Sequence, residues 1–268
     1  MLSRTDFAKF LAPRALLGMV HLQPLPGAPL YGGSLDAVID AALTDARALC
    51  DGGVDALVFE NFGDKPFHRG RVGAETVAAM TRVIADVTHG VRLPFGVNVL
   101  RNDAASALAI AAATGAMFIR VNVHVGAMLT DQGIIEGEAA STLRLRAAIA
   151  PRVAIFADHM VKHAVPLGDV DPIQSAKDLR LRGLADAIVI SGTETGAAVD
   201  AERLRALREV IDAPLLIGSG LTEENAAAYD ADGAFVGTSI KRNGRVDEAV
   251  DRARVERIAA AFRPRDGR

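Results

Sequence analysis

Eight short apolar runs punctuate the chain, at residues 15–20, 56–59, 95–97, 117–121, 152–157, 187–190, 214–217 and 233–236. They do not alternate with polar residues as a strand with one wet face would, so they read as strands covered on both faces. Between them lie stretches with helical spacing. The first, 35–50, is opened by Ser34 and closed by Gly52-Gly53; 74–87 follows, and 104–114 is capped by Asn102 or Asp103 and stopped by Gly115. Further helices are read at 139–149, after Pro172 as a first-turn proline, and at 201–211. A helix-length segment separates the last two runs, 246–262 reads as a closing helix, and 2–11 as a short helix ahead of the first strand. Regular alternation of short buried strands with helices implies parallel βαβ units, and eight in succession predict an α/β fold, a single (β/α)8 TIM barrel with a short N-terminal helix. An open doubly wound sheet is the alternative. It is disfavoured because no Gly-x-Gly-x-x-Gly follows the first strand.

At 268 residues the chain suits one barrel or two small domains, and no linker or low-complexity tract divides it, so a single domain with its core at about 15–262 is expected. Hydrophobic residues make up 50% of the chain, but aromatics only 4% and tryptophan is absent. The core must therefore be built from Ala, Val, Ile and Leu. A net charge of -3 offers no long-range attraction for nucleic acid or anionic lipid, so any anion site has to be local. Cys50 is the sole cysteine, which rules out an intramolecular disulfide and a cysteine-based zinc site. No signal-length apolar core and no run of about 18 apolar residues occurs, so a cytoplasmic protein without membrane insertion is expected.

In a barrel of this kind the site is built at the C-terminal ends of the strands. The predicted strands deliver His21, Glu60 with Asn61, Asn98, Arg120 with Asn122, Asp158 with His159, Ser191 with Thr193, Ser219 and Thr238. Gly218-Ser219-Gly220 and Gly237-Thr238-Ser239 end the last two strands, where glycine lets backbone N–H groups approach an anion and the hydroxyls add donors. They are the candidate phosphate site; alternatively the glycines only permit tight connections. Asp158, at a mid-barrel strand end, is the leading candidate for chemistry. With Glu60 it would form an acid and base pair if burial separates their pKa values. Lys162 would polarise a carbonyl or form a Schiff base. Asn98 and Asn122 have a second reading as helix caps, Arg120 as a structural partner of Glu60 or Asp158, and His21 as a hydrogen-bonded hinge. Glu60 and Asp158 are also the candidates for holding a divalent metal; no cofactor is specified by any compact motif.

As a set these residues resemble the BtpA family, which includes the SgcQ-like proteins. The matching stretches are Gly18-Met19-Val20-His21-Leu22-Gln23-Pro24-Leu25-Pro26-Gly27, Glu60-Asn61 with Asp64, Gly96-Val97-Asn98-Val99-Leu100-Arg101-Asn102-Asp103 and Phe118-Ile119-Arg120-Val121-Asn122. They continue with Gln132-Gly133-Ile134-Ile135-Glu136-Gly137, Asp158 with Val161-Lys162-His163, and Ile217-Gly218-Ser219-Gly220 with Asp232-Gly233. The family's pattern has Asp-Val where this chain has Asp158-His159, so His159 carries less weight than Asp158. The resemblance implies a barrel related to phosphate-binding TIM barrels and a small phosphorylated substrate, a sugar phosphate by association of SgcQ-like members with sugar-uptake operons. It also brings a rival of another class, a non-catalytic assembly factor for a membrane complex, from the family's role in photosystem I biogenesis. A homo-oligomer is expected by analogy with other barrels.

Overall fold

The computed structural model describes residues 1–192 and 198–263. Numbered along the chain, the barrel strands are β1 (Ala15–His21), β2 (Ala56–Glu60), β3 (Phe95–Asn98), β4 (Phe118–Val121), β7 (Ala154–His159), β9 (Ala187–Ile190), β10 (Leu215–Ile217) and β11 (Gly233–Val236). They pair in parallel around a closed ring in the order β1-β11-β10-β9-β7-β4-β3-β2. Helices α2 (Leu35–Asp51), α3 (Ala74–Gly90), α4 (Ala104–Thr114), α5 (Ala139–Ile149), α6 (Pro172–Leu181), α7 (Ala201–Val210) and α8 (Arg252–Phe262) surround it. The helix limits follow local chemistry. Ser34, Asp103 and Asp171 accept from first-turn amides, Pro172 sits in the first turn of α6, and Gly115 ends α4 in a left-handed conformation at φ 82°.

The core has two parts. Outward residues of the strands pack on the helices in a large aliphatic layer with Leu49, Ile84, Leu108 and Leu207. Inward residues, among them Leu17, Val58, Phe118, Phe156, Leu216 and Phe235, fill the barrel. Phe118 and Phe156 stack with centroids 4.4 Å apart, and a side chain at Gly96 would run into the Phe118 ring at 2.2 Å. The short helix α1 (Arg4–Phe10) plugs the N-terminal end, with Phe7 5.8 Å from Phe156. The closed end leaves the opposite mouth as the place for a site.

Three local features differ from the expectation. The stretches read as loops after β4 and β7 hold β5 (Ala127–Thr130), β6 (Gly133–Glu136) and β8 (Ala164–Pro166), a three-stranded antiparallel sheet in the order β6-β5-β8. Strands this short leave almost no periodic signal. Between β10 and β11 there is only a 3-10 turn, Ala226–Ala228, because Asn225 takes the Thr222 N–H and donates to the Gly220 carbonyl, closing the chain locally. The closing helix starts at Arg252, capped by Asp251, since Val250 is drawn into an antiparallel bridge with Lys241.

Candidate active site

Every second residue of a strand faces the same way, so the polar ends of the barrel interior can be read by stepping from the packed core in twos. Met19 leads to His21, Val58 to Glu60, Gly96 to Asn98, Phe118 to Arg120 and then Asn122, and Phe156 to Asp158. Val189 leads likewise to Ser191, Leu216 to Gly218 and Phe235 to Gly237. These sequence-nominated residues therefore share one layer above the aromatic floor. His159 has the other parity and turns out of the barrel, where Arg203 of α7 lies 3.0 Å from its Nδ1. Burial, and then Arg203, push its pKa down to about 4. Thr193 lies outside the described residues.

The layer divides into a fixed part and an open part. Asp158, its side chain wholly enclosed, accepts from Arg120 Nε at 3.0 Å and Nη2 at 3.2 Å, and from Asn122 Nδ2 at 2.7 Å. Asn98 donates to the Asn122 side-chain oxygen and to the Arg120 carbonyl. Neither asparagine caps a helix. The network holds the Arg120 guanidinium over the Phe235 ring, with its carbon 4.7 Å from the ring centroid.

The open part is a cavity of about 190 Å³ bounded by Glu60, Lys162, Arg120, His21, Phe62 and the two turns 218–222 and 237–239. Gly218 is required there, because an added Cβ would meet Ser191 Oγ at 2.4 Å and Arg120 Nη2 at 3.2 Å. Gly220 adopts φ +72°, a conformation other residues resist. Among the described residues the buried hydroxyls of Ser219, on the cavity wall, and Ser191, behind Gly218, have no hydrogen-bond partner, and the Ser219 hydroxyl is a donor free for an occupant. Thr238–Ile240 forms a 3-10 turn whose first two residues, Thr238 and Ser239, line the cavity.

Electrostatics set the protonation states. Burial raises the Glu60 pKa above its ordinary value, against the pull of Arg120 and Lys162. Burial also lowers Lys162, and Arg120 adds to the effect. His21 is held well below its ordinary value, by burial first and then by Lys241, Lys162, Lys65 and Arg120. Its ring stacks on Phe62 at 4.6 Å and its Nε2 lies 3.7 Å from Glu60 Oε1. Among the described residues no group of three or more His, Cys, Asp or Glu side chains converges as a metal cage, and Asp158 directs both oxygens to Arg120 and Asn122.

A second cavity of about 670 Å³ adjoins the first through Glu60, Phe62, Arg120 and Lys162, and adds Lys65, Arg101, Asp131 and Phe67. Sequence reasoning passed over Arg101 as a site residue, since it lies three positions past its strand; the signal was only its place in the polar stretch after Asn98. It also missed Lys241, 2% exposed and 2.5 Å from Asp45, which anchors the chain just after the second turn. Asn61 and Asp64 join the site indirectly. Asn61 accepts from the Leu100 N–H at 2.7 Å and donates to Asp64, which takes the Leu25 N–H, so the loops after β1, β2 and β3 are tied together.

The closed ring of eight parallel strands, with its polar mouth at their C-terminal ends, defines a TIM barrel. The chain matches the model of the BtpA family over residues 12–263 and belongs to that family. It is 46% identical over 259 residues to the photosystem I biogenesis protein BtpA of Synechocystis, covering 96% of this chain and 90% of that one. With the sgc region protein SgcQ of Escherichia coli it shares 36% over 251 residues, 91% of this chain and 92% of the other. A phosphoribosyl anthranilate isomerase from Thermococcus kodakaraensis superposes with a TM-score of 0.56 at 17% identity, covering 95% of this chain and all of that one, which speaks to the fold alone.

Proposed function

We propose that the protein is an enzyme acting on a small phosphorylated metabolite, a sugar phosphate, by acid and base or aldol-type chemistry at the barrel mouth. One observation carries this: Glu60 and Lys162, whose pKa values burial raises and lowers respectively, face the same cavity as the two glycine turns. In this reading Ser219, Gly220, Thr238 and Ser239 hold the phosphate, Gly218 and Gly237 keep its approach open, and Arg120 orients the carbonyl end. Glu60 takes the proton and Lys162 steadies the developing oxyanion, while His21 stays neutral beside them. Asp158 acts through Arg120 as a positioning residue.

The test is a thermal-shift screen of inorganic phosphate and sugar phosphates, with and without magnesium, manganese and zinc. A ligand that binds only the native state must stabilise it, by about 2.7 kcal/mol at a hundred times Kd. A rise of several degrees with a sugar phosphate supports the reading. No rise with any phosphate ester removes it.

A second reading, an assembly factor like the role named for the Synechocystis relative, is favoured by one surface. Leu129 of β5 stands opposite both Ile134 and Val165, so three apolar side chains 51%, 42% and 64% exposed form a row across the small sheet. Their neighbours Met128 and Ile135 are buried. If this role is the right one, Leu129→Glu will abolish capture of a partner polypeptide while leaving phosphate-ester binding at wild-type strength.

A further inference from the structure

The 670 Å³ cavity holds cations that the phosphate turns do not use, and the barrel order fixes where they stand. Around the ring β3 lies four strands from β10 in either direction, so the loop after β3 faces the Gly218–Gly220 turn across the mouth. Arg101, on that loop, is 6% exposed, and its Nη2 donates to the Lys162 carbonyl at 2.7 Å, joining the loops after β3 and β7. Lys65, after β2, holds its ammonium 4.2 Å over the Phe62 ring at the rim. Among the described residues, neither these two nor Lys162 has a carboxylate oxygen within 4.0 Å. Asp158 is taken up by Arg120, and Glu60 lies beside His21, 3.7 Å from its Nε2. Glu60 and Asp131, the latter exposed on the β5–β6 turn, are the acids lining this cavity, and neither makes an ion pair with these cations.

A guanidinium taken almost out of water without a counter-ion is costly, and a bound anion offsets that cost. Building on the phosphate reading, we propose that the substrate carries an acidic group at each end. The phosphate lies on the two glycine turns, and a second anion, a phosphate or a carboxylate, is received by Arg101 and Lys65. The carbon skeleton then spans the mouth over Phe62, with the atoms between the two anions presented to Glu60 and Lys162. This polarity also fixes the direction in which the substrate lies.

The experiment titrates the protein with fructose 6-phosphate, fructose 1,6-bisphosphate and 6-phosphogluconate by calorimetry, in the wild type, Arg101→Gln, Lys65→Gln and Gly220→Asp. The expected result is that at least one doubly acidic compound binds about ten- to a hundred-fold tighter than the monophosphate, as a charge-assisted contact provides. Which of the two gains identifies the second group as phosphate or carboxylate. Arg101→Gln removes the advantage of the doubly acidic compound over the monophosphate; Lys65→Gln, at the exposed rim and clear of the Lys162 loop, reduces the same advantage without touching the fold. The proposal is overturned if both doubly acidic compounds bind no tighter than the monophosphate, or if the advantage survives both substitutions. In those cases monophosphate binding that Gly220→Asp abolishes leaves the phosphate reading standing. If none of the compounds binds, the phosphate reading falls and this proposal with it.

Discussion

Replacing Asp158 by Asn separates the two roles a carboxylate can have at this strand end. The group is fully enclosed and accepts three hydrogen bonds, two from Arg120 and one from Asn122. Breaking a buried ion pair from one side costs about 3–5 kcal/mol, because it leaves the other charge unpaired. Asn keeps one acceptor, so a value near the lower end, about 3 kcal/mol, applies. For a chain of this size each kcal/mol moves the melting temperature by about 2–4 °C, so a fall of roughly 6–12 °C is expected. Differential scanning calorimetry measures it directly. The double variant Arg120→Met with Asp158→Leu removes both charges and should recover much of the loss, since a buried pair replaced by apolar groups is often neutral. A catalytic carboxylate facing substrate would behave otherwise, losing turnover with its melting point intact. A melting temperature of Asp158→Asn within about 2 °C of wild type would refute the account of Asp158 as the anchor of Arg120.

Other expectations follow from the same contacts. Gly218→Ala forces a methyl group to within 2.4 Å of Ser191 Oγ and against Arg120, so affinity for inorganic phosphate should fall at least about ten-fold; unchanged affinity by calorimetry would dissociate the turn from the phosphate. Glu60→Gln should abolish turnover yet raise the melting temperature at neutral pH. Folding raises the Glu60 pKa above 4.5, so its contribution to stability is intact below that value and lost as pH rises through the folded pKa; the gain from Gln must therefore vanish in melts near pH 4. Lys241→Met strands Asp45, which also accepts the Val250 N–H at 2.8 Å, and should cost about 3 kcal/mol in urea unfolding. A change under about 1 kcal/mol would show that the pair contributes little.

The barrel was legible because its signal is redundant: each strand begins as a short apolar run, and these runs and the helix caps repeat around the ring. Most candidate residues were legible for a related reason. His21, Glu60, Asn98, Asn122 and Asp158 are the first polar positions after apolar runs and Arg120 interrupts the fourth run, and the two-residue step from Met19, Val58, Gly96, Phe118 and Phe156 carries them to one face. What the pattern cannot encode is depth within that face. Asn122 and Asp158 lie across from each other in the β4–β7 pairing, extended by one step from Val121 with Ala157, and only that register reveals that Arg120 stands between Asp158 and the cavity. Lys162 and Arg101 belong to loops, where no periodicity says which way a side chain points. They reach the cavity because the Arg101 guanidinium clasps the Lys162 carbonyl, a contact between residues 61 positions apart.

The division between legible and hidden residues corresponds to a division of labour in the site. Residues on strands inherit rigid positions from the barrel ladder and form the fixed Arg120-Asp158-Asn122-Asn98 layer. In the proposed reading the loop residues Lys65, Arg101 and Lys162 add cations beside Arg120 of the frame, so they can change without altering it. On this view substrate choice within the family is carried by the loops after β2, β3 and β7, while the strand-end layer supplies the common chemistry. Exchanging Lys65 and Arg101 for neutral residues should then alter which compound binds, with the melting temperature of the unliganded protein shifting far less than in Asp158→Asn. A loss of stability as large as that of Asp158→Asn would place Arg101 in the frame instead, and the proposed separation between frame and specificity would fail.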